Sequence, residues 1–171
     1  HRLVECSGSL WVHKASHHFD LLNWWIDSDP ESVYALGSLD HYGKNGTFRA
    51  ENCRTCPHTS KCKFYYDITR NQNYMDLYVA NEKYDGYLRD GCVFKNDVNI
   101  FDKMAATIRY KNGVQVAYSL TTYSPYEGYR IAFNGTKGRL EAWIQESRPT
   151  SDVNFDELVL FKNFGKREYI Q

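Results

Sequence analysis

The sequence lacks an excess of charge of either sign. Lys plus Arg and Asp plus Glu both number 21 in 171 residues, so the formal net charge is zero. Proteins that bind nucleic acid normally carry a basic surface for the phosphates, and we therefore expect no nucleic-acid partner. The charged fraction of 25% and the hydrophobic fraction of 42% are typical of globular proteins, which excludes the disordered and fibrous classes.

Long apolar runs are also missing. No segment approaches the roughly 20 apolar residues that cross a membrane, and the first residues, His1 to Cys6, do not form a signal peptide. We therefore expect no membrane partner and a cytoplasmic location. A periplasmic location is the alternative if an export signal precedes His1, because the chain resembles an excised fragment.

The third absence is a glycine-rich phosphate loop. No predicted strand is followed by Gly-x-Gly-x-x-Gly, the motif that holds a dinucleotide pyrophosphate at a helix N-terminus. Unaided, the chain is not expected to hold NAD or NADP well.

Aromatic residues are abundant by contrast. Four Trp, nine Phe and 14 Tyr make up 16% of the chain, which suits half-buried strands or a surface that stacks on sugar rings. Tyr126 lies in a tyrosine-rich loop at residues 124–127. It is predicted either to pack on the sheet or to contact a sugar or a neighbouring subunit.

The first half of the chain predicts helices around one strand. Residues 8–12 are predicted to be extended, and Ser16 occupies the position of an N-cap for a helix from His17 to Ile26, buried on more than one face and ended by residues 27–30. Val33 to Leu39 is strand-like. The segment from Lys63 to Tyr84 is predicted to form one or two irregular helices.

The second half predicts a sheet. Two pairs of apolar segments flank Asn-Gly turns, which is typical of β-hairpins, and one further strand follows. These segments are 104–110 with 114–122, 129–133 with 139–144, and 158–161. We therefore predict an α+β fold with an open-faced mixed or antiparallel sheet and helices on one face. Residues 1–171 form one domain in this prediction, with a cysteine-rich insertion at about 50–95.

Five ionisable residues cluster at the predicted helix start: His13, Lys14, His17, His18 and Asp20. The positive end of the helix dipole favours a neutral imidazole, so His17 is placed to accept a proton from a substrate hydroxyl, with Asp20 orienting a histidine or a ligand. The alternatives are capping and packing roles, or a zinc site through His13 and His17. We favour a catalytic and substrate-binding site, because titratable clusters at helix starts are typical of acid–base chemistry.

Two segments carry a resemblance to a known family. Residues 8–25, GSLWVHKASHHFDLLNWW, resemble the start of the C-terminal domain in the glucose–fructose oxidoreductase, inositol dehydrogenase and MocA family. Residues 124–141, SPYEGYRIAFNGTKGRLE, are similar to a subgroup of that family. The similarity covers roughly residues 1 to 145.

The resemblance implies a two-domain oxidoreductase. Its N-terminal Rossmann domain binds NAD or NADP and supplies a catalytic lysine, and its C-terminal domain has an open-faced sheet that often forms homo-oligomers. Many members carry Asp-x-x-x-His at this helix, with the histidine as the acid–base residue. His17 matches that histidine, whereas the aspartate position falls on His13, so Lys14 is expected to share in substrate positioning.

Four cysteines form a second cluster: Cys53, Cys56, Cys62 and Cys92. The Cys53-x-x-Cys56 spacing is that of a zinc knuckle, with Cys62 and Cys92 as further ligands. Free half-buried thiols are the equal alternative, followed by an iron–sulfur cluster and, least favoured, a disulfide.

Two functions are consistent with these features. The first is the substrate-binding and catalytic half of an NAD(P)-dependent oxidoreductase that acts on a sugar or sugar-like polyol, inactive without its Rossmann domain. The alternative is a carbohydrate- or protein-binding module with a structural zinc site. A Rossmann fingerprint upstream of His1 would favour the first.

Overall fold

The computed structural model describes residues 2–147, 156–165 and 167–170. The chain divides into two compact units, His1–Thr122 and Tyr123–Gln171, each with its own antiparallel sheet. The predicted α+β class is confirmed, and the strands are distributed over these two sheets. In the described ranges no helix has the length and apolar character needed to cross a membrane.

The regular elements follow one another in the order helices, one strand, short helices, strands. The α-helices are α1 Val4–Ser7, α2 Ser16–Ile26, α3 Gln72–Leu77 and α4 Glu82–Asp85. The strands are β1 Pro30–Ser38, β2 Lys103–Tyr110, β3 Gln115–Thr121, β4 Glu127–Gly135, β5 Gly138–Ser147, β6 Glu157–Lys162 and β7 Arg167–Tyr169.

The first sheet has the order β1-β2-β3, with β2 in the centre. Every second residue of β2 is buried, from Met104 to Tyr110, so one face of this strand carries the core. The turn at residues 111–113 joins β2 to β3, with Gly113 at a φ of +89° that favours glycine. The strand predicted at 33–39 and the hairpin predicted from Asn112-Gly113 are both confirmed.

The helix that precedes β1 begins earlier than predicted. Ser9 acts as its cap, since the Val12 amide donates to Ser9 Oγ at 3.1 Å. A π-helical turn, Trp11–Ala15, then runs directly into α2. The predictions of an extended segment at 8–12 and of an N-cap at Ser16 are therefore wrong, because the earlier serine supplies the cap.

The end of α2 agrees with the prediction. Asp27 adopts a left-handed conformation with φ of 51°, and its amide donates to the carbonyl of Asn23 at 3.0 Å. β1 starts three residues later.

One side of α2 packs on the first sheet. Half-buried Trp11, Phe19 and Ile26 lie against a buried cluster on β2 formed by Ala106, Ile108 and Tyr110. The opposite side is open to solvent, where Trp24 is 75% exposed, and Trp25, about 100° around the helix from it, is 43% exposed. The prediction that this helix is buried on more than one face is wrong, because its apolar residues also occupy the outer face.

A buried carboxylate holds the start of β2. Asp102 is 1% exposed, and its carboxylate accepts hydrogen bonds of 2.8–2.9 Å from the amides of Asp40, His41 and Tyr42. Its own amide donates to the carbonyl of Ser38 at the end of β1. This residue therefore fixes the turn that leaves β1 for the cysteine segment.

The cysteine segment, residues 51–95, contains only short helices. They include α3, α4 and single 3₁₀ turns, so the irregular helices predicted over Lys63 to Tyr84 are confirmed. The Arg54 guanidinium binds Asp90, whose side chain is fully buried, and also contacts Glu82. The segment is thus joined internally by a half-buried ion pair.

The second sheet has the order β4-β5-β6-β7, and all neighbours are antiparallel. β4 and β5 form a hairpin that closes at Gly135 and Gly138. The hairpin predicted over 129–144 and the strand predicted at 158–161 are confirmed. Arg130 lies over the ring of Trp143 on the neighbouring strand, 4.2 Å from its centroid.

Candidate active site

The outer face of α2 and of the turn before it carries a stripe of polar and aromatic side chains. His13, His17, Asp20 and Trp24 follow one another at intervals of four, three and four residues, and all four are exposed. This spacing places them along one side of a helix. We call these four residues the helix stripe. Trp24 was missed as a site residue, although its position four residues after Asp20 follows the same period.

His13 and Lys14 lie in the π-helical turn that runs into α2. His13 and His17 therefore belong to one continuous helical run and are about one turn apart. This corrects the expectation that the helix begins at His17, after His13. Single π-helical turns within helices occur frequently at functional sites.

The electrostatic argument for His17 also changes. Because the helical run starts at Leu10, His17 and Asp20 lie well inside it, and the effect of the helix dipole falls off within the first turn. The argument from the helix dipole therefore does not apply to His17. The candidate role of His17 depends instead on its exposure in the helix stripe.

His18 lies on the inner side of α2. Its Nδ1 atom and the hydroxyl of Tyr118 on β3 are 2.9 Å apart and hydrogen bonded. Burial raises the pKa of Tyr118 to about 12, so this hydroxyl keeps its proton at neutral pH. His18 thus joins helix to sheet, and its predicted contact with substrate stays a prediction.

A shallow groove of about 550 Å³ begins at the helix stripe and follows the last turn of α2. Carboxylate, amide and hydroxyl groups line it together with one indole ring: Asp20, Asn23, Trp24, Asp27, Ser28 and Asp29. The Tyr110 hydroxyl donates to Asn23 Oδ1 at 2.7 Å, which fixes that amide from the core side. The groove offers hydrogen-bond acceptors beside an aromatic face.

Tyr126, the remaining predicted substrate contact, lies in the second unit, where it is half-buried. Its ring packs near Trp143, with 6.3 Å between centroids. This contact accounts for its burial through sheet packing, and a role in substrate binding stays a prediction.

The four cysteines predicted as metal ligands, Cys53, Cys56, Cys62 and Cys92, line one cavity of about 400 Å³. All are free thiols of intermediate exposure. Among the residues that the structure describes, no three His, Cys, Asp or Glu side chains already stand in a metal-binding arrangement. The structure thus brings the four residues to a common cavity without closing them into a ligand set.

The described residues contain no dinucleotide-binding unit of the Rossmann type. Every strand pair in them is antiparallel, so these ranges contain no parallel strand–helix–strand unit to present a pyrophosphate at a helix N-terminus.

Comparison with known proteins adds to this geometry. Residues 4–155 match the model described as "Oxidoreductase family, C-terminal alpha/beta domain". The chain is also 35% identical over 154 residues to a protein of Bacillus subtilis (strain 168) named "Putative oxidoreductase YteT". The match covers 82% of this chain and 36% of that protein, so the chain spans about a third of this relative's length. The chain belongs to the glucose–fructose oxidoreductase, inositol dehydrogenase and MocA family of oxidoreductases, and it matches the C-terminal domain of that family.

Proposed function

We propose that this chain forms the substrate-binding and catalytic half of an NAD- or NADP-dependent oxidoreductase that acts on a sugar or sugar-like polyol. One observation carries the proposal: a domain of an oxidoreductase family presents the helix stripe, with two imidazoles, a carboxylate and an indole on one open helix face. An acid–base group can take the proton of a sugar hydroxyl during oxidation, and an aromatic ring can stack on the sugar that carries it.

The exposure of the stripe supports a site shared between two domains. An acid–base residue acts best in a site closed to bulk water, whereas His13, His17 and Asp20 are open to solvent. A nucleotide-binding domain placed over this face would close the site and bring the cofactor to it. The match covers 36% of the Bacillus relative, so a protein of that length has enough further residues to form such a domain.

The groove beside the stripe supports a sugar as the substrate class. Sugar rings present apolar C–H faces that stack on aromatic rings, and hydroxyls that donate to carboxylates. Trp24 supplies the ring, and Asp20, Asp27 and Asp29 supply the acceptors. His17 lies about one helical turn before Asp20, so a substrate that extends from the groove along the helix stripe would bring a hydroxyl to His17.

In the proposed reaction the His17 imidazole accepts the proton of the substrate hydroxyl oxygen during oxidation and returns it during reduction. Lys14, three residues earlier on the helical run, and His13, four residues earlier, would position the same oxygen. The nicotinamide, when bound by other residues, would supply the hydride chemistry.

Replacement of His17 tests the proposal in the full-length protein. Because a positioned acid–base group contributes about 100- to 10,000-fold in rate, His17→Ala is expected to lower kcat by that order and to remove the acidic limb of its pH profile. The affinity for NAD or NADP, measured by direct titration, is expected to stay unchanged.

His18→Ala is the matched control, since this variant loses the Tyr118 contact on the other side of the same helix. We expect a loss of stability with the acidic limb preserved. If His17→Ala retains wild-type kcat and the same limb, His17 is not the acid–base residue, and the role passes to Lys14 or His13. If the full-length protein binds sugars but turns over none with either cofactor, the binding-module alternative replaces the enzyme.

A further inference from the structure

The cysteine segment joins its two ends through a short antiparallel bridge between Asn52 and Gly91. Hydrogen bonds of 2.8 and 3.2 Å, from the amides of Cys53 and Cys92 to carbonyls across the bridge, flank that pair. Residues next to a bridge pair point to the face opposite to it, so Cys53 and Cys92 share one face although 39 positions separate them.

The other two cysteines reach the same cavity through tight turns. The Cys56 amide donates to the Cys53 carbonyl at 3.3 Å, and the Cys62 amide donates to the His58 carbonyl at 3.1 Å. The turn over 53–56 is the geometry in which a Cys-x-x-Cys pair binds one metal ion. All four sulfur-bearing residues therefore border one space of about 400 Å³.

Backbone amides are directed at the sulfur atoms. The amide of His58 donates to Cys56 Sγ and the amide of Phe94 donates to Cys92 Sγ, both at 3.4 Å and both from two residues further along the chain. Amide contacts of this kind orient a cysteine side chain, as outer-shell hydrogen bonds orient the ligands of a metal ion.

The cysteine segment also has few buried apolar side chains to stabilise its fold. Between residues 51 and 95 the buried hydrophobic side chains of the described core are those of Ile68 and Phe94. Small lobes with so few buried apolar residues are commonly stabilised by a metal ion or by disulfides, and these cysteines are free thiols.

We propose that Cys53, Cys56, Cys62 and Cys92 close around one structural Zn²⁺ ion. Four thiolates suit tetrahedral zinc at Zn–S distances of about 2.3 Å. Since the four side chains border a common cavity without forming a closed set, the ion draws the sulfur atoms inward when it binds. The site is separate from the helix stripe, and its function is to hold the cysteine segment in its fold.

Metal content of the purified chain is the first test. We expect about one zinc per chain after purification in reducing buffer without a metal-affinity step. Cys62→Ser is expected to lose the zinc, because only three thiolates remain. Cys6→Ser is the matched control, since Cys6 is an exposed free cysteine that does not line the cavity, and it is expected to retain the ion.

Because Cys62→Ser is subject to misfolding, a second measurement uses the unmodified sequence. Exchange of zinc for Co²⁺ is expected to produce the visible absorption of tetrahedral cobalt and a near-ultraviolet thiolate-to-cobalt band, and a chelator is expected to lower the thermal midpoint of the zinc form. Zinc content well below one per chain after incubation with excess Zn²⁺, together with five thiols that react with a thiol reagent in the folded chain, overturns the proposal. Iron with acid-labile sulfide in place of zinc also overturns it.

Discussion

Replacement of Asp102 should cost more stability than replacement of any exposed carboxylate in the first unit. Its carboxylate accepts three backbone hydrogen bonds, from the amides of Asp40, His41 and Tyr42, at a site that is 1% exposed. Each hydrogen bond to a charged group contributes about 1.5–3 kcal/mol. The three bonds share one carboxylate and are not independent, so for Asp102→Ala we expect a loss of about 3–5 kcal/mol in the free energy of unfolding.

The conservative variant separates hydrogen bonding from packing. In Asp102→Asn one oxygen remains as an acceptor, while the new amide group faces at least one backbone donor. Since at least one charged hydrogen bond is lost, we expect a decrease of about 1.5–3 kcal/mol, between the wild type and the alanine variant.

Urea denaturation followed by tryptophan fluorescence measures these changes, because Trp11 packs in the core of the same unit. Asp29→Asn is the control: Asp29 pairs with Lys111 at 2.9 Å, but both side chains are mostly exposed, so its loss should cost under about 1 kcal/mol. If Asp102→Ala costs no more than Asp29→Asn, the buried carboxylate does not hold the turn after β1 and the reasoning fails.

Two further predictions concern the sheet contact of α2 and the cysteine segment. Because burial raises the pKa of Tyr118 from 10 to about 12, the unfolded chain releases this proton first. The contribution of Tyr118 to stability should therefore be constant below about pH 10 and be lost between about pH 10 and 12. Tyr118→Phe, which also loses the His18 bond, should show a smaller fall than the wild type in urea titrations over that range. Arg54→Ala leaves the fully buried side chain of Asp90 without its cation, so we expect a loss of about 3–5 kcal/mol by urea denaturation. A loss below 1 kcal/mol in Arg54→Ala would mean that Asp90 is stabilised by other groups.

The β-hairpins could be predicted from sequence because their signals are local. Asn112-Gly113 lies between two apolar segments, and the turn needs a positive φ that glycine provides. The start of the first long helix was mispredicted for a similar reason, since Ser9 and Ser16 are both acceptable caps. Local propensity does not say which of two serines the tertiary structure uses.

Contacts between residues that are far apart along the chain could not be predicted from the sequence. The hydrogen bond between His18 and Tyr118 joins positions 100 apart, and the bridge between Asn52 and Gly91 brings Cys92 to the other cysteines. Composition likewise did not reveal that Trp24 is exposed, because an apolar residue on a helix is usually assigned to the core. The candidate residues were identified from the sequence, whereas their division between the outer face of the helix and the sheet contact required the fold.

Self-association of the chain through one face of its sheet stays a prediction.

The π-helical turn Trp11–Ala15 has a consequence for the comparison of relatives. A π-helical turn contains about one residue more than an α-helical turn. A relative with a purely α-helical segment here would therefore align with a gap of one residue between positions 11 and 15, while Ser9 and His17 remain equivalent. An alignment that ignores this gap would pair His17 with a residue rotated by about 100° around the helix and would misassign the histidine.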